Sequence, residues 1–192
     1  MCYSLEKIKM EDIKTITQAL KESLCVIPPI ETRALESQFY LKDYVRVTRF
    51  IKNIMGISCR LSVKYLTDYS KDQPLGKIKL IDPFPRMGTR DYLLARPEIT
   101  IRADLLEDFH LFMAVISHEM AHVVLYGTNH PLKTSEIATD ITALSLGFAR
   151  EHFLAKRSGE DFGNGGSCFQ IGYLRMDQLF YATSLLDIEL KP

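Results

Sequence analysis

FMAVISHEMAHVVLYG, residues 112–127, is an apolar run interrupted by strongly polar side chains only at Ser117, His118, Glu119 and His122. A helix that is hydrophobic on nearly every side has to lie inside the molecule, so this stretch is expected to form the central helix of the fold. The four-residue spacing of His118 and His122 stacks their imidazoles on one face, one turn apart, close enough to converge on a single ion. Glu119 stands beside the first histidine and can reach a water at that ion without binding it. Left unpaired in such a helix, two imidazoles and a carboxylate would carry a desolvation cost that zinc, bound by neutral histidines, relieves.

A zinc site that does chemistry takes three protein ligands and keeps its fourth position open. Glu136 is the leading third ligand, at the first turn of the next helix, which a loop over 127–134 containing Pro131 can fold back against the first. His130, inside that loop, is the competing ligand. Asp140, one turn beyond Glu136, is placed to orient a histidine through its second ring nitrogen. Both acids also have a plain role, as negative charges favoured near a helix N-terminus. His110 and His152 read as surface or core histidines.

Working outward, Asp104 and Glu107 have the form of a capping box that opens the central helix, and Gly127 ends it. Ser135 caps the following helix, which is expected to run to about Lys156, with Gly159 beyond its end. Upstream, period-two alternation predicts strands over Leu61–Leu66, Lys77–Ile81 and Glu98–Ala103, with a further short strand at Arg90–Leu94. An amphipathic helix over Lys9–Leu24 stops at Pro28 and Pro29, and a second helical pattern runs from Glu31 to Met55. Residues 1–56 thus read as a helical N-terminal section. After the second metal-site helix comes a glycine-rich loop, SGEDFGNGGSC (158–168), then a last helix over Met176–Leu186. Helices, then strands, then helices predict one α+β domain over 1–192 rather than a doubly wound sheet.

Composition narrows the partners. Of 192 residues, 24 are Lys or Arg and 24 are Asp or Glu, a balance that argues against nucleic acid, whose phosphates call for a basic excess. No apolar stretch reaches the roughly 20 residues of a membrane span, and MCYSLEKIKMEDIK lacks a secretory apolar region, so no membrane association and a cytoplasmic location are expected. Cys2, Cys25, Cys59 and Cys168 are scattered without metal-finger spacing and read as reduced thiols.

HEMAH (118–122) followed by EIATD (136–140) resembles the gluzincin arrangement, HExxH followed by ExxxD on a second helix, found in thermolysin-like and related metallopeptidases. EIATDITALSLGFA (136–149) is also similar to the corresponding segment of the ImmA/IrrE-type metallopeptidases, which cleave phage or stress-response repressors. The resemblance spans about Pro97 to Arg150 and implies a minimal zincin-like domain: a small sheet, an active-site helix and a following ligand helix. It implies Zn2+ held by His118, His122 and Glu136, with Glu119 as general base, Asp140 supporting a histidine, and a peptide or protein as the substrate hydrolysed. It also implies that Pro97–Ala103 is an edge strand lining the substrate cleft, to which an extended peptide could add. Tyr126, Tyr173, Tyr181 and His152 are open candidates for polarising the scissile carbonyl. Two other readings stand beside this one: a metal-binding regulatory or interaction protein with little turnover, and an effector held inactive until a regulatory protein partner binds.

Overall fold

The computed structural model describes residues 8–70, 73–161 and 172–190. Along the chain come α1 (Met10–Ser23), α2 (Arg33–Tyr40), α3 (Tyr44–Ile54), β1 (Ser62–Leu66), β2 (Gly76–Lys79), α4 (Arg90–Leu94) and β3 (Glu98–Arg102). They are followed by α5 (Phe109–Gly127), α6 (Glu136–Ser145), α7 (Ala149–Asp161) and α8 (Met176–Leu185). The class is α+β, with a three-stranded mixed sheet in the order β1-β3-β2.

The apolar run at 112–127 forms α5, and two large hydrophobic clusters among the described residues, beside a small one pairing Ala114 with Ala155 of α7, explain why so few of its faces are polar. One gathers Phe39, Val47 and Ile51 of α2 and α3 with Ile99 and Ile101 of β3 against Phe112, Ile116 and Met120. The other joins Ile13 and Leu20 of α1, Ile141 and Leu144 of α6, and Leu179 and Ala182 of α8 with Leu125. By length and composition α5 could cross a membrane, and 83% of its most apolar window is buried within this fold. The expected N-terminal helical section is therefore divided between the two clusters: α1 packs on α6 and α8, whereas α2 and α3 pack on the other side of α5. Between them the chain runs along the end of α6, where Ile27 N–H donates to Ser145 O at 2.7 Å and Ile30 N–H to Gly147 O at 3.0 Å.

Several boundaries differ from the sequence expectation, each for a local reason. The helix expected over 31–55 is two helices, because Lys42 takes a left-handed φ of 63° and the Asp43 carboxylate accepts the Arg46 N–H at 3.1 Å to start α3. Arg90–Leu94 is helical rather than a strand: Thr89 Oγ1 accepts the Tyr92 N–H at 3.2 Å, and Tyr92 is the buried anchor of that turn. Asp104 does not cap α5, since its carboxylate is taken by the Arg102 guanidinium. Residues 103–107 form a 3-10 turn instead, and Asp108 caps α5 by accepting the Leu111 N–H at 2.9 Å. The helix expected over 135–156 breaks between α6 and α7 at Gly147, whose φ is +95°.

The strand over Pro97–Ala103 is not an edge. β3 is central, parallel to β1 with Val63 opposite Ile99 and antiparallel to β2 with Ile78 opposite the same Ile99. The edge strand packed on α5 is β2. Cys25 is exposed and Cys59 buried, both as free thiols. Cys2 and Cys168 lie outside the described residues, as does most of the glycine-rich stretch.

Candidate metal centre

α5 places the rings of His118 and His122 one turn apart, with centroids separated by 5.1 Å and planes at 85°. The chain reverses after Gly127, aided by a left-handed Asn129, and Ser135 starts α6 by accepting the Ala138 N–H at 3.3 Å. Glu136, the first residue of α6, is thereby brought onto the two imidazoles. Its Oε2 lies 3.2 Å from His118 Nε2 and 3.3 Å from His122 Nε2, and one ligand atom from each of the three residues falls within 4.8 Å of the others.

Both histidines have their other nitrogen engaged. His118 Nδ1 is 2.7 Å from Asp140 Oδ1, and an ionised carboxylate there can only accept, so Nδ1 carries the proton. His122 Nδ1 is 3.3 Å from Thr139 Oγ1. Because the Thr139 hydroxyl donates to Ser135 O at 3.0 Å, it is the acceptor toward His122. His118 Nε2 also carries a proton, donated to Glu136 Oε2 at 3.2 Å, and loss of that proton leaves a lone pair available to an ion.

The electrostatics reflect three basic atoms competing for a shared positive charge. Burial disfavours charge on His118, but its bonds to Asp140 and Glu136 outweigh that and raise its pKa to about 10. Glu136 is disfavoured as an anion by burial and yet drawn down to about 2 by the two histidines. Asp140, fully enclosed, is likewise held below the usual carboxylate range because the bond to His118 outweighs burial. A tetrahedral zinc about 2.1 Å from each ligand sets neighbouring ligand atoms about 3.4 Å apart, and the two imidazole-to-carboxylate separations match that edge. The donor set therefore fits a zinc ion.

Glu119 stands next to this group without joining it. It is 7% exposed, and burial raises its pKa against the pull of His118 and His122. Its neighbour across the gap is β2: a Cβ on Gly76 would lie 2.8 Å from Glu119 Oε1 and 2.7 Å from Val115 Cγ1, so glycine is what lets the strand pass this close.

The remaining candidates separate cleanly. His130 is turned away, with Nε2 3.0 Å from Ser23 Oγ and Nδ1 accepting the Leu132 N–H at 3.1 Å, so it shapes the loop between α5 and α6. His110 pairs with the buried carboxylate of Glu151. His152 is buried against Ser117 Oγ at 3.0 Å. Of the tyrosines, Tyr126 lies under Lys133 Nζ at 5.6 Å from its ring, and Tyr181 packs on the α1-α6-α8 cluster. Tyr173 comes to the site, stacked on His118 at 6.0 Å and 24°. Burial and the nearby charges of Glu136, Asp140 and Glu119 raise its pKa. Thr139, Gly76 and Gly172, which also bear on the site, were not singled out in the sequence. Thr139 alone left a signal there, one turn after Glu136 and beside Asp140.

Comparison with models of known families, with curated proteins and with solved structures finds no match.

Proposed function

We propose that the protein is a zinc-dependent peptidase of minimal zincin-like form, with His118, His122 and Glu136 as zinc ligands and Glu119 as general base. The observation that carries this reading is a donor set of two imidazoles and one carboxylate, with the carboxylate oxygen 3.2 and 3.3 Å from the two ring nitrogens, beside the buried carboxylate of Glu119, which the set does not need. A structural site closes all four positions with protein groups, whereas three ligands leave room for chemistry. A zinc ion there supplies a water acidic enough to lose a proton near neutral pH, and an electrophile for a carbonyl oxygen.

The chain's own groups do the rest. Asp140 and Thr139 hold the two imidazoles in the tautomers that face the ion. Glu119, whose pKa burial raises above the usual carboxylate value, takes the proton from water and returns it to the leaving nitrogen. β2 is the strand beside Glu119, and its outer edge is unpaired among the described residues. An extended peptide can add there by backbone hydrogen bonds, which brings a scissile bond alongside the base.

The test combines elemental analysis with cleavage of an internally quenched peptide library, with and without chelator. The wild type should hold about one zinc per chain and cut in a chelator-sensitive way. Glu119→Gln should keep its zinc and lose hydrolysis by about 10²-fold or more. Retained cleavage in zinc-loaded Glu119→Gln overturns the assignment, and a zinc-loaded wild type that cuts nothing favours a metal-binding regulatory or interaction role.

A further inference from the structure

Asp140 has two carboxylate oxygens, and His118 uses one of them. The other, Oδ2, accepts the backbone N–H of Tyr173 at 2.6 Å and of Leu174 at 3.0 Å. Residue 172 has to be glycine for that contact: its φ is +66°, and a Cβ would lie 2.8 Å from both Asp140 oxygens. Leu174 is 3% exposed in the α1-α6-α8 cluster and anchors the segment from the far side. One carboxylate thus fixes both a metal-site imidazole and the backbone that lays the Tyr173 ring over that imidazole.

We infer that Tyr173 is a catalytic residue, donating its phenol hydrogen to the carbonyl oxygen that gains negative charge during peptide cleavage, and that Asp140 and Gly172 are its positioning residues. This rests on the hydrolytic reading above. A phenol is a donor that keeps its proton at neutral pH, and a donor fixed before reaction stabilises developing charge without reorganising. Tyr173 has a phenol on a ring stacked against His118, the residue is 39% exposed, and its backbone is pinned by Asp140. The other aromatic candidates are held elsewhere by Lys133, by the α1-α6-α8 cluster or by Ser117.

The experiment uses the full chain loaded with zinc and two readouts. The first is calorimetric binding of acetohydroxamate, whose charged oxygen probes the donor without turnover. Tyr173→Phe keeps the stacked ring and removes only the hydroxyl, so binding should weaken by about 10- to 100-fold at unchanged zinc content. The second is cleavage of the quenched peptide library, where kcat should fall by about 10²- to 10³-fold while KM stays within about threefold. Gly172→Ala should show comparable losses in both readouts, and the double variant Gly172→Ala/Tyr173→Phe should be no worse than Gly172→Ala alone. Wild-type affinity for acetohydroxamate in Tyr173→Phe, or additive losses in the double variant, overturns the inference. Unimpaired Tyr173→Phe beside inactive Glu119→Gln removes the donor alone, whereas active Glu119→Gln removes the hydrolytic reading with it.

Discussion

Thr139 and Asp140 are neighbours on α6, yet they serve the two histidines unequally. Asp140 offers His118 a buried charge at 2.7 Å, whereas Thr139 offers His122 a neutral oxygen at 3.3 Å. Charge-assisted bonds are roughly twice as strong as neutral ones, so the two support residues should rank. Asp140→Asn is expected to weaken zinc binding by about 10- to 100-fold, and Thr139→Val by less, in competition with a chromophoric chelator. Equal effects would contradict that ranking. The four-residue spacings of His118 with His122 and of Glu136 with Asp140 were legible in the sequence, because helical spacing fixes which side chains share a face, with Glu119 following as the neighbour of His118. Gly76 and Gly172 were not, because their importance lies in which distant backbone passes beside Glu119 and Asp140, and spacing along the chain carries no trace of that.

Breaks between elements were harder to read than the elements themselves, and Gly147 shows why. Apolar spacing continues from α6 into α7, so periodicity alone joins them, while the break is set by the chain packed alongside. A Cβ at 147 would sit 2.9 Å from Ile30 Cγ2 and 3.2 Å from Pro28 O, on a backbone of left-handed φ. Gly147→Ala should therefore destabilise the fold by about 1–3 kcal/mol in urea unfolding, a cost that an open left-handed turn such as Gly56 would show only in its backbone part. α7 also carries a pH signature. His152 is buried neutral, its pKa lowered to about 4 by burial, while the unfolded chain takes up that proton near about 6.5. The unfolded state binds more protons in that interval, so stability falls as pH drops from about 6.5 toward 4 and is unaffected by this group above it. His110, raised by its bond to Glu151, acts in the opposite sense: its contribution is present below about 6.5 and is lost as pH rises through the elevated value. Unfolding of metal-free protein at a series of pH values should show a shallower acid decline in His152→Gln than in the wild type. An unchanged slope would remove His152 as its source.

For the molecule as a whole, α5 belongs to both hydrophobic clusters while Glu136 belongs to α6, so an ion held at the site ties the two helices together. A ligand bound only by the folded state stabilises it by about 4 kcal/mol when present at about 1,000 times its dissociation constant. Chelation should accordingly lower Tm, with the same shift in Glu119→Gln and none in His122→Ala. The α+β order of elements followed from where period-two stretches fall between helical ones, and the burial of α5 followed from its composition. Division of the core into two clusters could not be read, because nothing in the pattern of α1 says that it packs on α6 and α8 rather than on α2. The free side of β2 has a consequence for how the protein behaves when crowded. The β2 edge, unpaired among the described residues, is also a template on which a second copy's strand can pair, and a strand added there would lie beside the strand that contacts Glu119. Lys77 and Lys79, both exposed on β2, place like charges wherever two such edges would meet. Replacing both by threonine should make the protein self-associate as its concentration rises, seen by light scattering; on the proposed hydrolytic function, cleavage per molecule should fall in step, tying self-association and access to the site to the same two lysines.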